Sequence, residues 1–144
     1  MTKTLNDVIK ESSLSRLYRH SREHDYGTIT AFRYAPDCGK GTPYTRKENQ
    51  QRNKLLLSKL RARGYSVTSI KGSYIENYGT PNAREVGESS FFVADLQDKG
   101  TLLNDLKKFG KEFDQDSILF GKAGSGSKLV GTNTCPDGYP GMGK

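Results

Sequence analysis

Thr45-Arg46-Lys47-Glu48 is a capping box: the threonine hydroxyl can take the amide of the glutamate three residues on, and that glutamate can reach back to the threonine amide. Gly64 stands where helices commonly end, so the spacing predicts a helix over 45–63. Leu56, Leu57 and Leu60 mark its apolar face, and that face must pack against something. The flanks read as strands. Residues 28–34 (Thr-Ile-Thr-Ala-Phe-Arg-Tyr) and 65–70 are rich in β-branched and aromatic types.

The same reading extends outward. A first helix is expected over 4–19, with Thr4 as cap and Asp7 in its first turn. A short strand follows at 89–94, then a helix behind Thr101 carrying Leu102, Leu103, Leu106, Phe109 and Phe113. Strands at 117–120 and 128–130 flank a glycine-rich tip and predict a hairpin. Residues 71–87, with Gly72, Gly79, Pro81 and Gly87, read as a long loop, a length more typical of functional segments than of connectors. The order α-β-α-β-β-α-β-β predicts an α+β (or α/β) fold, with helices packed on a mixed sheet of about four to five strands. One layered domain over 1–132 is expected, followed by an irregular Gly/Pro-rich tail over 133–144.

The longest apolar run, Phe91-Phe92-Val93-Ala94, excludes a membrane helix, so no membrane partner is expected. Lys3 is followed by Asn6, Asp7 and Glu11 in place of an apolar segment, so no secretory signal is read. The expected location is the cytoplasm of a host cell, or a virion. Cys38 and Cys135 both lie in Pro/Asp/Gly turn sequence and are expected to be reduced, although a bridge between them stays open.

Charge is lopsided. The net charge is +7, and residues 1–64 hold 14 Lys/Arg against 6 Asp/Glu, including eight of the nine arginines. Arginine's planar fork suits phosphate and carboxylate, so a polyanionic partner such as nucleic acid is the first expectation. On the 45–63 helix, Arg46, Lys47, Lys54 and Arg61 lie on one flank of the apolar stripe, and Arg52, Lys59 and Arg63 on the other. Charge on both flanks is unlike a single DNA-reading face. Asn49 and Asn53 fall in line with the leucines, so they either anchor a neighbouring loop or line a pocket, the former being the commoner use of a buried amide.

Catalytic signals are sparse. His20-Ser-Arg-Glu23-His24 matches an inverted zinc-protease spacing, but it sits at a helix end without an identifiable third ligand. A polar last turn explains it better, and no metal is expected. Gly39-Lys40 and the stretch from Gly121 to Lys128 only approach a phosphate loop, because no helix follows to face an anion. No catalytic residue or cofactor is assigned. Glu85, Glu88, Asp114 and Asp116 do not cluster in sequence.

The pattern Glu48-Asn49 and Arg52-Asn53 on one helix, Gly64-Tyr65, Glu88-Ser89-Ser90-Phe91, and Phe113-Asp-Gln115-Asp-Ser117-Ile118 resembles a small family of bacterial and phage proteins classed as a domain of unknown function. The likeness covers about residues 28–130. It implies a compact α/β domain of bacterial or phage genomes and transfers no activity. The leading expectation is a small, basic, phage-encoded accessory protein that is not an enzyme and engages a polyanion through Arg46, Lys47, Arg52, Lys54, Arg61 and Arg63, with Asn49, Asn53 and Glu88 nearby. The alternatives are a structural component of a phage virion packed against other phage structural proteins, and a small enzyme with a pocket at Asn49, Asn53 and Glu88.

Overall fold

The structure is a computed structural model that describes residues 16–37, 40–76, 79, 81, 84–133 and 135, with the backbone alone described at 72–76 and 84–88. Helical residues 16–23 (α1) lead into β1 (Tyr26–Ile29), followed by α2 (Arg46–Ala62), β2 (Ser66–Glu76), β3 (Arg84–Ala94), α3 (Leu102–Glu112), β4 (Ser117–Gly121) and β5 (Ser127–Gly131). Among the described residues the strands form one sheet in the order β2-β3-β1-β4-β5.

Every pairing in that sheet is antiparallel, which corrects the expected mixed sheet within a fold that is α+β. The reason is topological. The α2 crossover carries the chain from β1 to a position one strand away, and the β2–β3 hairpin returns β3 into the gap. The α3 crossover then passes over β1 to β4, giving the split β-α-β arrangement with β5 added at one edge.

Helices α2 and α3 lie on one face of the sheet, α2 against β2 and β3, α3 against β1 and β4. Ile29, Phe91, Val93, Ile118 and Phe120 point into that layer and meet Leu56, Leu60, Leu102 and Leu106, all four fully buried. Each such side chain contributes about 1.5–3 kcal/mol relative to exposure. The approach of α3 is close: a Cβ at Gly27 would collide with the Leu119 carbonyl oxygen and Leu106 Cδ1. Tyr26 stacks on Phe92 with ring centroids 5.8 Å apart.

The capping box forms as expected, with Glu48 N–H to Thr45 Oγ1 and Thr45 N–H to Glu48 Oε1 both at 3.0 Å. Gly64 adopts φ +85°, the left-handed conformation that ends the helix. Thr101 stands at the start of α3, but its hydroxyl faces the Tyr65 hydroxyl at 3.1 Å and caps no helix amide.

Four expectations change. The strand expected at 28–34 begins at Tyr26 and ends at Ile29. Residues 71–87 do not form a loop: β2 and β3 stay paired from Ser66↔Ala94 out to Glu76↔Arg84, with Gly79 at φ +80° in the connection. Asn133, read as the start of a tail, is buried and donates from Nδ2 to Asp116 Oδ1 at 3.2 Å. Cys135 is disulfide-bonded, contrary to the expected thiol. Cys38, residues 4–15 of the first expected helix and residues 136–144 of the expected tail lie outside the described residues. No helix among the described residues is long and apolar enough to cross a membrane.

Tyr65 joins the two helical crossovers. It is 5% exposed, and its hydroxyl donates to the Asp105 carboxylate on α3. Burial first, then the bond to Asp105, push its pKa from 10.0 up to about 12. The native state therefore keeps a proton that the unfolded chain loses. The contribution is complete below pH 10.0 and is lost as pH rises towards about 12. Urea midpoints measured at intervals across that window are expected to fall more steeply for the wild type than for Tyr65→Phe.

Candidate functional site

Past Ile29 the chain departs from β3 and β4, and side chains replace the missing strands. Ala31 N–H donates to Asn53 Oδ1 at 2.8 Å, and the Ala31 carbonyl accepts from Arg52 Nε at 3.0 Å. Phe32 N–H donates to Thr30 Oγ1 at 3.1 Å, and its carbonyl accepts from Gln115 Nε2 at 3.2 Å. The Arg33 N–H and carbonyl both pair with the Asn49 carboxamide at 3.0 Å, as a neighbouring strand would. All six backbone groups of residues 31–33 are thus satisfied by side chains, as burial requires.

Beside this cradle a cleft of about 500 Å³ opens between α2 and the β2–β3 strands. Helix α2 contributes Arg46, Gln50, Asn53, Lys54 and Leu57, a single face at helical spacing. Ser69 and Lys71 come from β2, Ser89 and Phe91 from β3, and these are register partners on one sheet face. Phe32 completes the lining. Asn53 fastens the helix to the sheet by donating from Nδ2 to the Ser89 carbonyl at 2.9 Å. No ion pair among the described residues engages Arg46, Lys54 or Lys71. The cleft therefore combines aromatic and aliphatic walls, serine hydroxyls and carboxamides, and unneutralised positive charge. It suits a ligand with a flat or apolar body and an anionic group.

The expected site residues divide. Arg46, Lys54 and Asn53 line the cleft. Asn49 and Arg52 belong to the cradle instead, so the choice between loop anchor and pocket resolves as both for Asn53 and as anchor for Asn49. Arg52 also donates to Tyr44 Oη at 3.2 Å and to the Phe113 carbonyl at 2.6 Å, with its guanidinium 4.5 Å from the Tyr44 ring centroid. Its donors face inward and are not offered to an outside anion. Arg63 Nε lies 3.8 Å from Asp105, and Arg33 pairs with Asp116 at 3.1 Å. Lys47 and Arg61 are exposed and outside the cleft. Glu88 sits opposite Gly72 in the β2–β3 register, and its side chain lies outside the described residues.

The cleft residues Phe32, Gln50, Ser69, Lys71, Ser89 and Phe91 were not anticipated. Alternation along β2 and β3 carried the signal for the last four, once 71–87 is read as paired strands. His24 Nδ1 is held by Asp98 at 2.9 Å. Burial, followed by Arg19, lowers the His20 pKa below 6.5. Among the described residues no group of three metal-ligating side chains comes together. A wider groove between α2 and α3 is rimmed by Lys59, Arg63, Lys107, Lys108 and Lys111, but Lys59 is already paired with Glu112 there.

A family model described as the S-adenosylmethionine lyase family matches residues 40–140. Among curated proteins, none matches the chain. A solved structure of a phage SAM lyase in complex with S-methyl-5'-thioadenosine is similar at 15% identity, covering 74% of this chain and 87% of that one, with a TM-score of 0.38.

The cradle yields a direct test. Arg52→Ala leaves the Ala31 carbonyl without its donor and the Phe113 carbonyl with Gln115 Nε2 alone, and chemical denaturation is expected to show a loss of about 1–3 kcal/mol. Arg52→Lys is expected to recover less than half, since one ammonium cannot span three acceptors in a plane. An unchanged midpoint in Arg52→Ala refutes the cradle's energetic role.

Proposed function

We propose, from the premise that this chain belongs to the S-adenosylmethionine lyase family, that it cleaves S-adenosylmethionine without water and releases S-methyl-5'-thioadenosine. The match overturns the expectation of a non-enzymatic accessory protein engaging a polyanion, and with it the nucleic-acid-binding and virion-component readings. It also supplies the activity that the resemblance to a family of unknown function left unassigned. The third reading, a small enzyme, is the one supported. The observation that carries it is that the matched segment contains every residue lining the cleft except Phe32.

The chemistry asks for shape and field more than for a nucleophile. The sulfonium sulfur is a good leaving group, and when its bond to the aminobutyrate chain breaks, both electrons stay on sulfur as a neutral thioether. Without water, the carbon left behind is satisfied from within the substrate. Either the substrate carboxylate closes on it as a five-membered ring, or the neighbouring carbon passes a proton to that carboxylate and a carbon–carbon double bond forms. Ring closure is unimolecular and gains from holding the chain bent, where effective molarities reach about 10⁵ M or more.

In this reading Arg46, Lys54 and Lys71 hold the carboxylate, and Leu57 and Phe91 keep water from the sulfonium. The reaction merges opposite charges, so a site that strips water from both favours the less polar transition state. These cations hold the carboxylate in place. They also disfavour a persistent positive charge on sulfur.

Incubation of the purified protein with S-adenosylmethionine, read by chromatography, is expected to yield S-methyl-5'-thioadenosine in step with substrate loss. Arg46→Gln and Lys54→Gln are each expected to lower kcat/KM about 10- to 100-fold, the worth of one charge-assisted contact. No turnover by the folded wild type rejects the reading.

A further inference from the structure

We infer that Phe32 is the residue on which the substrate's base stacks, an inference that rests on the lyase reading for the identity of the ligand but on the cradle for its geometry. Phe32 is partly exposed and lines the cleft, unlike Phe109, Phe113 and Phe120, which are buried in the core. An aromatic ring that served only to fill the core would be covered. This one is presented to the cavity from a segment outside the matched region 40–140, yet clamped by residues inside it.

The clamping is out of proportion to a connector. The Phe32 amide and carbonyl, and both backbone groups of each neighbour, are held by side chains from α2, from Thr30 and from Gln115. A backbone fixed at six points leaves the ring little freedom beyond its own torsions. A preorganised aromatic surface loses little entropy when a flat ligand stacks on it.

Charge decides which part of the substrate lies there. With Arg46, Lys54 and Lys71 facing the same cleft, the carboxylate is drawn to them, and the sulfonium and the α-ammonium are held off. The adenine is neutral and flat, and it is the part these cations leave to an aromatic wall. Stacking on an aromatic side chain is sequence-tolerant among bases, so the ring selects for a base without choosing it by hydrogen bonds.

The test separates the moieties. Titration calorimetry is run with S-methyl-5'-thioadenosine, which has the base and no charge, and with S-methylmethionine, which has the sulfonium and carboxylate and no base. Phe32→Ala is expected to weaken thioadenosine binding about 10-fold or more, from the usual worth of one stacked base. Phe32→Leu falls between, Phe32→Tyr stays near the wild type, and S-methylmethionine binding is unchanged throughout. In turnover the same series raises KM for S-adenosylmethionine with kcat largely kept. Should Phe32→Ala fail to fold, as thermal melting will show, Phe32→Leu and Phe32→Tyr carry the comparison.

Wild-type strength in Phe32→Leu, an equal loss for S-methylmethionine, or no thioadenosine binding by the wild type overturns the inference. If thioadenosine binds in a Phe32-dependent way but S-adenosylmethionine is not cleaved, the lyase reading falls and the inference stands. If cleavage occurs and binding ignores Phe32, the inference falls alone.

Discussion

The three residues Asn49, Arg52 and Asn53 on one face of α2 do the work of a missing β-strand. A polypeptide that leaves a sheet while still buried has donors and acceptors that must be met, because each unpaired group costs about 1–3 kcal/mol. Here the helix meets them. Asn49 reads Arg33 as a strand would, Asn53 and Arg52 divide Ala31 between them, and the same Asn53 reaches across to β3. The distance between α2 and the sheet is set by these polar bonds as much as by Leu56 and Leu60, so a cleft remains beside them where a continuous apolar interface would have closed it. Cradle and cavity are two sides of one arrangement.

This explains where the amino-acid sequence was legible. Local rules of one helical turn were readable because their partners lie within four residues: the capping box at Thr45 and Glu48, the stop at Gly64, and the alignment of Asn49 and Asn53 with the leucine stripe. The two hairpins differ in this respect. The β4–β5 turn concentrates its glycines at the tip, and its strands lie close to where they were expected. In the β2–β3 pair Gly72 and Gly87 lie inside the strands, opposite Glu88 and Ser73, and masked a period of two running through Ser69, Lys71, Ser89 and Phe91. Glycine punctuates turns and also permits pairing, and composition alone does not say which. The end of β1 was hidden for a different reason. Ala31, Phe32 and Arg33 continue the run from Thr28 and Ile29 without a turn residue, and side chains of α2, Thr30 and Gln115 divert them.

The charge asymmetry was real, and its interpretation was not. Counting cations in residues 1–64 treats each as available to solvent, whereas Arg52 is spent on two carbonyls and a phenol, Arg33 on Asp116 and the Ala35 carbonyl, and Arg63 lies towards Asp105. Arginine is favoured in such places because its fork satisfies several acceptors at once, the same property that suits it to phosphate. A sequence rich in arginine therefore fits either a polyanion surface or a fold that borrows guanidinium groups to replace backbone partners. Arg52 and Arg33 are put to the second use here, and the cations beside the cleft, Arg46, Lys54 and Lys71, are too few for a phosphate track.

That remainder has a consequence for the chemistry. An enzyme whose substrate carries its own leaving group and its own nucleophile gains little from a protein acid or base, and much from fixing the angle between the two. Fixing that angle falls to the charge that holds the carboxylate, while the base is bound by a surface that does not move. A rigid Phe32 and a cationic rim on opposite ends of one substrate would provide this without any residue entering the reaction. The stability of the cradle and the affinity for substrate are then coupled: loosening Arg52 or Asn53 frees the aromatic wall before it unfolds the domain. Substitutions in the cradle should therefore act on substrate affinity at a temperature where the sheet and its core remain intact.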